Sequence, residues 1–140
     1  MDIEKISKGI IFIILTIQTY WDLRYKKLPL LISLVGVVIG VPILIFSQRE
    51  LMDILLALLL GVIFLLIGKI TREAIGYGDG ILLIVMGLFY SAKQMWSICI
   101  MAFVFAGVVA LVLLLIFRKK GNYEIPFVPF LLLANCIHSI

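Results

Sequence analysis

The 140-residue chain is 64% apolar and 14% charged, against about half and about a quarter in an ordinary soluble domain, which excludes a water-soluble globule. Its net charge of +4 sits in short basic clusters between apolar runs instead of along one solvated face, which excludes a nucleic-acid-binding surface. Charge-free runs of 21 residues between Lys27 and Arg49 and of 24 between Lys93 and Arg118 each reach the ~20 residues that cross a hydrocarbon core. They lack the alternation of barrel strands, so the spans are predicted to be helices, which satisfy their backbone groups internally.

The first predicted span, Ile6–Leu23, ends in Asp22. Lys5 and Lys8 ahead of an apolar run suit a signal peptide, but no small-residue cleavage site precedes Trp21, so this span is expected to remain. A basic loop follows, Arg24-Tyr25-Lys26-Lys27-Leu28-Pro29. The second span, Leu28–Phe46, carries Gly36 and Gly40, a GxxxG expected to pack inside the bundle. After a third span, Leu51–Ile70, come Arg72, Glu73 and the run Gly76-Tyr77-Gly78-Asp79-Gly80. The fourth span is predicted over Gly80–Ala92 and the fifth over Met95–Phe117. A loop with Arg118, Lys119 and Lys120 leads through Ile125-Pro126-Phe127-Val128-Pro129-Phe130 into the sixth, Pro126–Ile140. The fourth and sixth are short enough for half-spans or strong tilts. With no linker or repeat between spans, residues 1–140 read as a single membrane-embedded domain of about six helices.

Lys and Arg in short loops favour the cytoplasm. With the N-terminus outside, the inner loops hold eight of the twelve, Arg24, Lys26, Lys27, Lys69, Arg72, Arg118, Lys119 and Lys120, and Lys5, Lys8, Arg49 and Lys93 lie outside. An N-out, C-out topology follows, with Asp22 and Asp79 at the cytoplasmic face.

Ionisable groups at the edge of hydrocarbon usually face a bundle interior or a wet cavity and mark function; the plainer alternative is a helix cap in the headgroup region. The glycines at 76, 78 and 80 allow positive φ and let another chain approach Asp79 closely. Two nearby carboxylates sharing a proton are the machinery of aspartic peptidases. Asp79, near a helix N-terminus, is favoured as the base, and Asp22, near a C-terminus, as the acid. Cys99 and Cys136 fall inside spans with neither CxxC nor a His at ligand spacing, so they read as packing residues, and no metal or other cofactor is called for. The prolines at 126 and 129 fix the entry to the last helix. Asn135 and His138 read as satisfied polar residues.

Three features in this order resemble the type IV prepilin peptidases, membrane aspartyl peptidases of the GxGD type: Asp22 followed by Arg24, Lys26, Lys27 and Pro29; the GxGD of Gly76–Asp79 preceded by Arg72 and Glu73; and the late Ile-Pro-Phe-x-Pro-Phe. The similarity covers essentially the whole chain. It implies a six-helix bundle in a prokaryotic cell membrane, with catalytic Asp22 and Asp79 facing the cytoplasm. Gly76, Gly78, Gly80, Glu73, Arg24, Lys26, Lys27, Pro126, Phe127 and Pro129 would support the substrate or the dyad. The implied substrates are prepilins or pseudopilins, in which a short basic leader precedes an apolar helix and is cut at the cytoplasmic border. Family members often have Val-Lys after the GxGD and Asn after the loop proline, where this chain has Gly80-Ile81 and Leu30. The cysteine-rich segment of the bifunctional, N-methylating relatives does not fit these 140 residues, so peptidase activity without N-methylation is expected.

Other readings use the same residues. A presenilin-like protease also has an Asp and a GxGD, but the basic-Pro loop and the late Pro-Phe motif favour the prepilin type. A small transport protein could relay protons or ions through the two aspartates. A non-catalytic homologue could act as an assembly partner.

Overall fold

The computed structural model describes residues 3–25, 29–70, 77–116 and 127–139. These form six α-helices, α1 (Ile3–Tyr25), α2 (Leu30–Phe46), α3 (Leu51–Ile70), α4 (Tyr77–Phe89), α5 (Ala92–Leu115) and α6 (Val128–Ser139), with no strand among them. The all-α expectation holds. Pro29, extended at φ −70° and ψ 118°, precedes α2, as a residue that suits a helix entry but cannot donate within it. Three helices are long and apolar enough to cross a membrane, α1 over Glu4–Tyr25, α3 and α5; α2, α4 and α6 are shorter.

The fourth and fifth helices start and end earlier than predicted. α4 runs over Tyr77–Phe89 instead of Gly80–Ala92, and α5 begins at Ala92 instead of Met95. The cause is local. Ser91 caps α5 by accepting from Gln94 N–H, and the Gln94 side chain accepts from Ser91 N–H in return, a capping box that places the break at Tyr90–Ser91. Gly78 and Gly80 therefore lie inside the first turns of α4, and no described glycine has a positive φ. The freedom expected of them is not used. What Gly80 supplies is closeness: a Cβ there would sit 2.9 Å from Leu65 Cδ2 and 3.1 Å from Leu65 N of α3.

Small residues bring α4 into the middle of the bundle. It packs most extensively on α3 and α2 and also meets α1 and α5. A Cβ on Gly61 would meet Ile84 Cγ1 at 2.4 Å and Ile84 N at 2.8 Å, and one on Gly36 would meet Val85 Cγ1 at 2.7 Å. The GxxxG thus packs α2 on α4 inside the bundle, as expected. Leu82, Leu83, Val85 and Met86 are fully buried. A 13-residue helix spans only about 20 Å, but being enclosed by protein it need not match the bilayer thickness.

Contacts set the directions of the helices. Gln18 bonds Ser33, Asp22 meets Val128, Phe64 stacks near Phe103 and Tyr90 bonds Asn135. Hence α1, α3 and α5 run one way and α2, α4 and α6 the other. The outer surface exposes a wide apolar band, including Leu31, Leu34 and Val38 of α2, Leu55 and Leu66 of α3, and Val104, Val108 and Leu111 of α5. A continuous band of this kind belongs against lipid.

Candidate active site

Asp22 reaches the interior because of its register on α1. Ile11, Leu15, Gln18 and Asp22 recur at helical spacing, and all four are buried, Asp22 being 7% exposed. Arg24 falls on the other side of the helix. Its guanidinium donates to Tyr20 Oη at 3.1 Å and lies over the Tyr25 ring at 5.6 Å, away from the carboxylate. Tyr20, Trp21 and Tyr25 are all exposed around this end of α1, forming the aromatic girdle expected at headgroup depth.

The beginning of α6 closes over Asp22. Val128 N–H donates to Asp22 Oδ2 at 3.1 Å. The first N–H groups of a helix lack intrahelical partners, and here each is accounted for: Val128 N–H donates to Asp22, Pro129 has no N–H, and Phe130 and Leu131 both donate to Phe127 C=O. Phe127 is held in turn by the rings of Phe64 and Phe103, with centroids at 5.9 and 5.1 Å. Phe127 and Pro129 therefore act here by fixing where α6 starts.

Asp79 enters from the first turn of α4, half-buried, and its carboxyl lies within electrostatic range of Asp22. The fold thus places the two predicted aspartates at the same end of the bundle, within electrostatic range of one another. Among the described residues, neither has a cationic partner. Sequence alone placed only Asp79 at a helix N-terminus, whereas the structure gives Asp22 one as well, that of α6. Asp22 thus sits between the C-terminus of α1, which opposes an anion, and the N-terminus of α6, which supports one, so the dipole of its own helix no longer decides its role.

A second carboxylate makes the contrast clear. At the opposite end, Asp53 Oδ1 accepts from Ala92 N–H, the first of α5, at 3.0 Å, repeating the bond between Asp22 and α6. Asp53 is also neutralised by Arg49 at 2.7 Å, whose Nη1 donates to Gly87 C=O at 2.9 Å. Among the described residues, the same local bond occurs once with a counter-ion and once without.

The model of the type IV leader peptidase family matches residues 9–137 of the chain. The chain belongs to that family. The matched stretch of this leader peptidase includes both aspartates and the start of α6. No curated protein and no solved structure matched the chain.

Gly76, Glu73, Lys26, Lys27 and Pro126 of the expected site, with Arg72 and the Arg118–Lys120 cluster, lie outside the described residues. Gly78 is half-buried in the first turn of α4, and Gly80 faces α3. Asn135 accepts from Tyr90 Oη and is buried, as a satisfied polar residue; His138 is half-buried near the end of α6. Cys99 is buried and Cys136 half-buried, both free thiols. Sequence reading missed the Val128 N–H, which no side chain signals. It also missed Gln18 and the Arg49–Asp53 pair, which were visible as a polar residue four before Asp22 and as opposite charges four apart.

Proposed function

We propose that this leader peptidase is a membrane aspartyl endopeptidase that removes the short basic leader of type IV prepilin-like or pseudopilin substrates at the cytoplasmic border of their apolar helix. The observation that supports this reading is that Asp22 and Asp79, two carboxylates without a counter-ion among the described residues, lie at the same end of the bundle within electrostatic range of each other. One carboxylate, ionised, takes a proton from water as the water oxygen bonds to the scissile carbonyl carbon. The other, protonated, gives its proton to the carbonyl oxygen. Collapse of the tetrahedral intermediate breaks the C–N bond: the proton taken from water goes to the departing amine, and one hydroxyl returns its proton to the other carboxylate as C=O re-forms, which restores the pair. The pair works and titrates as a unit.

The girdle of Tyr20, Trp21 and Tyr25 supports cutting at the membrane border, and the loop charges support a cytoplasmic border in a prokaryotic cell membrane. Six membrane crossings with both termini outside fit the alternating directions of the helices. Glu73 would meet the basic leader, and Arg24, Lys26 and Lys27 would bind the headgroups beside it. We assign no methyl transfer to these residues, whose two cysteines both sit inside helices.

The test is leader removal from a prepilin-type substrate in liposomes by wild type, Asp22→Asn and Asp79→Asn. Loss of cleavage in both folded variants supports the dyad. Ion flux that depends on both aspartates, with no proteolysis, selects the transport reading instead.

A further inference from the structure

Gln18 lies on the inward face of α1, one turn before Asp22 and about 6 Å deeper by the helical rise, and it is fully buried. Its Nε2 donates to Ser33 Oγ of α2 at 3.0 Å, and Ser33 is buried too. The other end of the amide, Oε1, is buried without a hydrogen-bond partner among the described residues, as is Thr19 Oγ1. Turning the amide over only exchanges which end is unpaired. Thr16, on the same helix, behaves differently: its hydroxyl donates to Phe12 C=O at 2.8 Å, the usual back-bond of a helical threonine. An unpaired amide end and hydroxyl in apolar surroundings are costly and uncommon. An unpaired end of such a group is free to bind a polar group brought to that depth.

Ser33 also lines a groove of about 460 Å³ between α2 and α4, with Leu30, Leu31, Leu34, Val37 and Ile81. Ile81 is two residues past Asp79, and Leu30, Leu31 and Leu34 are exposed on the lipid side. The groove therefore begins near the depth of the carboxylates, is walled in part by Ser33, the hydrogen-bond partner of the buried Gln18, and opens to the bilayer.

The scissile bond lies at the border of the substrate's apolar helix, so seating it between the carboxylates draws out the first turn of that helix and frees the C=O groups that turn had engaged. The amides released at this depth find no water and need partners from the protein. We propose that Gln18 and Thr19 form a subsite for the substrate main chain, pairing with the peptide groups freed just after the scissile bond while the apolar side chains of that segment lie in the α2–α4 groove. The subsite rests on the leader-peptidase reading above.

The test measures kcat and KM for leader removal in liposomes by Gln18→Met and Thr19→Val, together with thermal unfolding of each protein in detergent. Both substitutions nearly keep the side-chain volume; Thr19→Val is expected to hold its unfolding temperature, and Gln18→Met, which loses the bond to Ser33 but also removes an unpaired buried oxygen, to shift it little. For Gln18→Met we expect kcat/KM to fall about tenfold, the worth of one hydrogen bond in the transition state, and for Thr19→Val severalfold. The loss should fall mainly on kcat, since the pairing forms only once the turn is drawn out. A lower unfolding temperature in Gln18→Met, matched by Ser33→Ala, with kcat unchanged below unfolding, would make the pair a helix link and overturn the subsite. If Gln18→Met does not fold, Thr19→Val decides alone: unchanged kcat/KM overturns the proposal. Either of these results leaves the peptidase reading standing. No cleavage by wild type across several prepilin-type substrates overturns both.

Discussion

Val128 N–H donates to Asp22 Oδ2 at 3.1 Å, joining residues 106 positions apart. The bond ties one aspartate to the first peptide of α6, and α6 is placed by Phe127 against Phe64 and Phe103. A carboxylate so held has two separable properties, an oxygen that caps a helix and a charge within electrostatic range of Asp79.

Asp22→Asn keeps the capping oxygen and removes the charge. We expect cleavage to fall about a thousandfold or more, with stability nearly unchanged. Asp22→Ala removes both and should lose about 1 kcal/mol of stability besides, the usual worth of a cap. Asp79→Asn should match Asp22→Asn, and the double variant should be no worse than either, as for residues acting as one unit. Cleavage assays in liposomes with unfolding in detergent separate these outcomes.

Glycines at helix contacts should tolerate alanine according to what the new Cβ meets. Gly61→Ala places it 2.8 Å from Ile84 N, where the obstacle is backbone, and is expected to destabilise by about 1–3 kcal/mol, as overpacking does. Gly80→Ala meets Leu65 and should also shift the first turn of α4, lowering activity with stability. Gly107→Ala meets nothing within 4 Å and should be neutral or stabilising by up to ~1 kcal/mol through helix propensity. Unfolding of the three variants in one detergent checks the order.

Arg49 and Asp53 hold α3, α4 and α5 together at the end far from the aspartates. Arg49→Met is expected to lower stability by about 1–2 kcal/mol, the pair being partly exposed, and to leave kcat/KM within about threefold at temperatures where the protein stays folded. An equally large loss in kcat/KM would place this end in the catalytic path instead.

Phe127→Ala removes a ring packed on two others and should cost about 3 kcal/mol. Because it also loosens the start of α6, activity should fall further than in Arg49→Met at matched stability. Phe127→Leu should recover most of the stability and part of the activity. Activity compared at equal distance below each unfolding temperature tests this.

Local pattern carried much of the molecule. The excess of apolar residues, the long charge-free runs and the absence of alternation demanded helices in lipid, because those demands act within each segment. The two aspartates stood out for the same reason, as charges at the edges of apolar runs. Gly36 and Gly40 announced a packing face through spacing alone. Helix boundaries are legible from capping residues, and the Ser91–Gln94 capping box sets the break between α4 and α5 three residues ahead of the one predicted.

The rest depended on which helix neighbours which, and no periodicity states that. Nothing near Asp22 in the chain foretells that the N–H of Val128 will reach it, since the donor is backbone and any residue there but proline carries it. Gly80 could be read as freedom beside Asp79 until Leu65 was found against it. The dipole ranking of the two aspartates dissolved for the same reason: a helix end 106 residues away contributes as much field as the one a residue sits in, and only packing decides how near it comes.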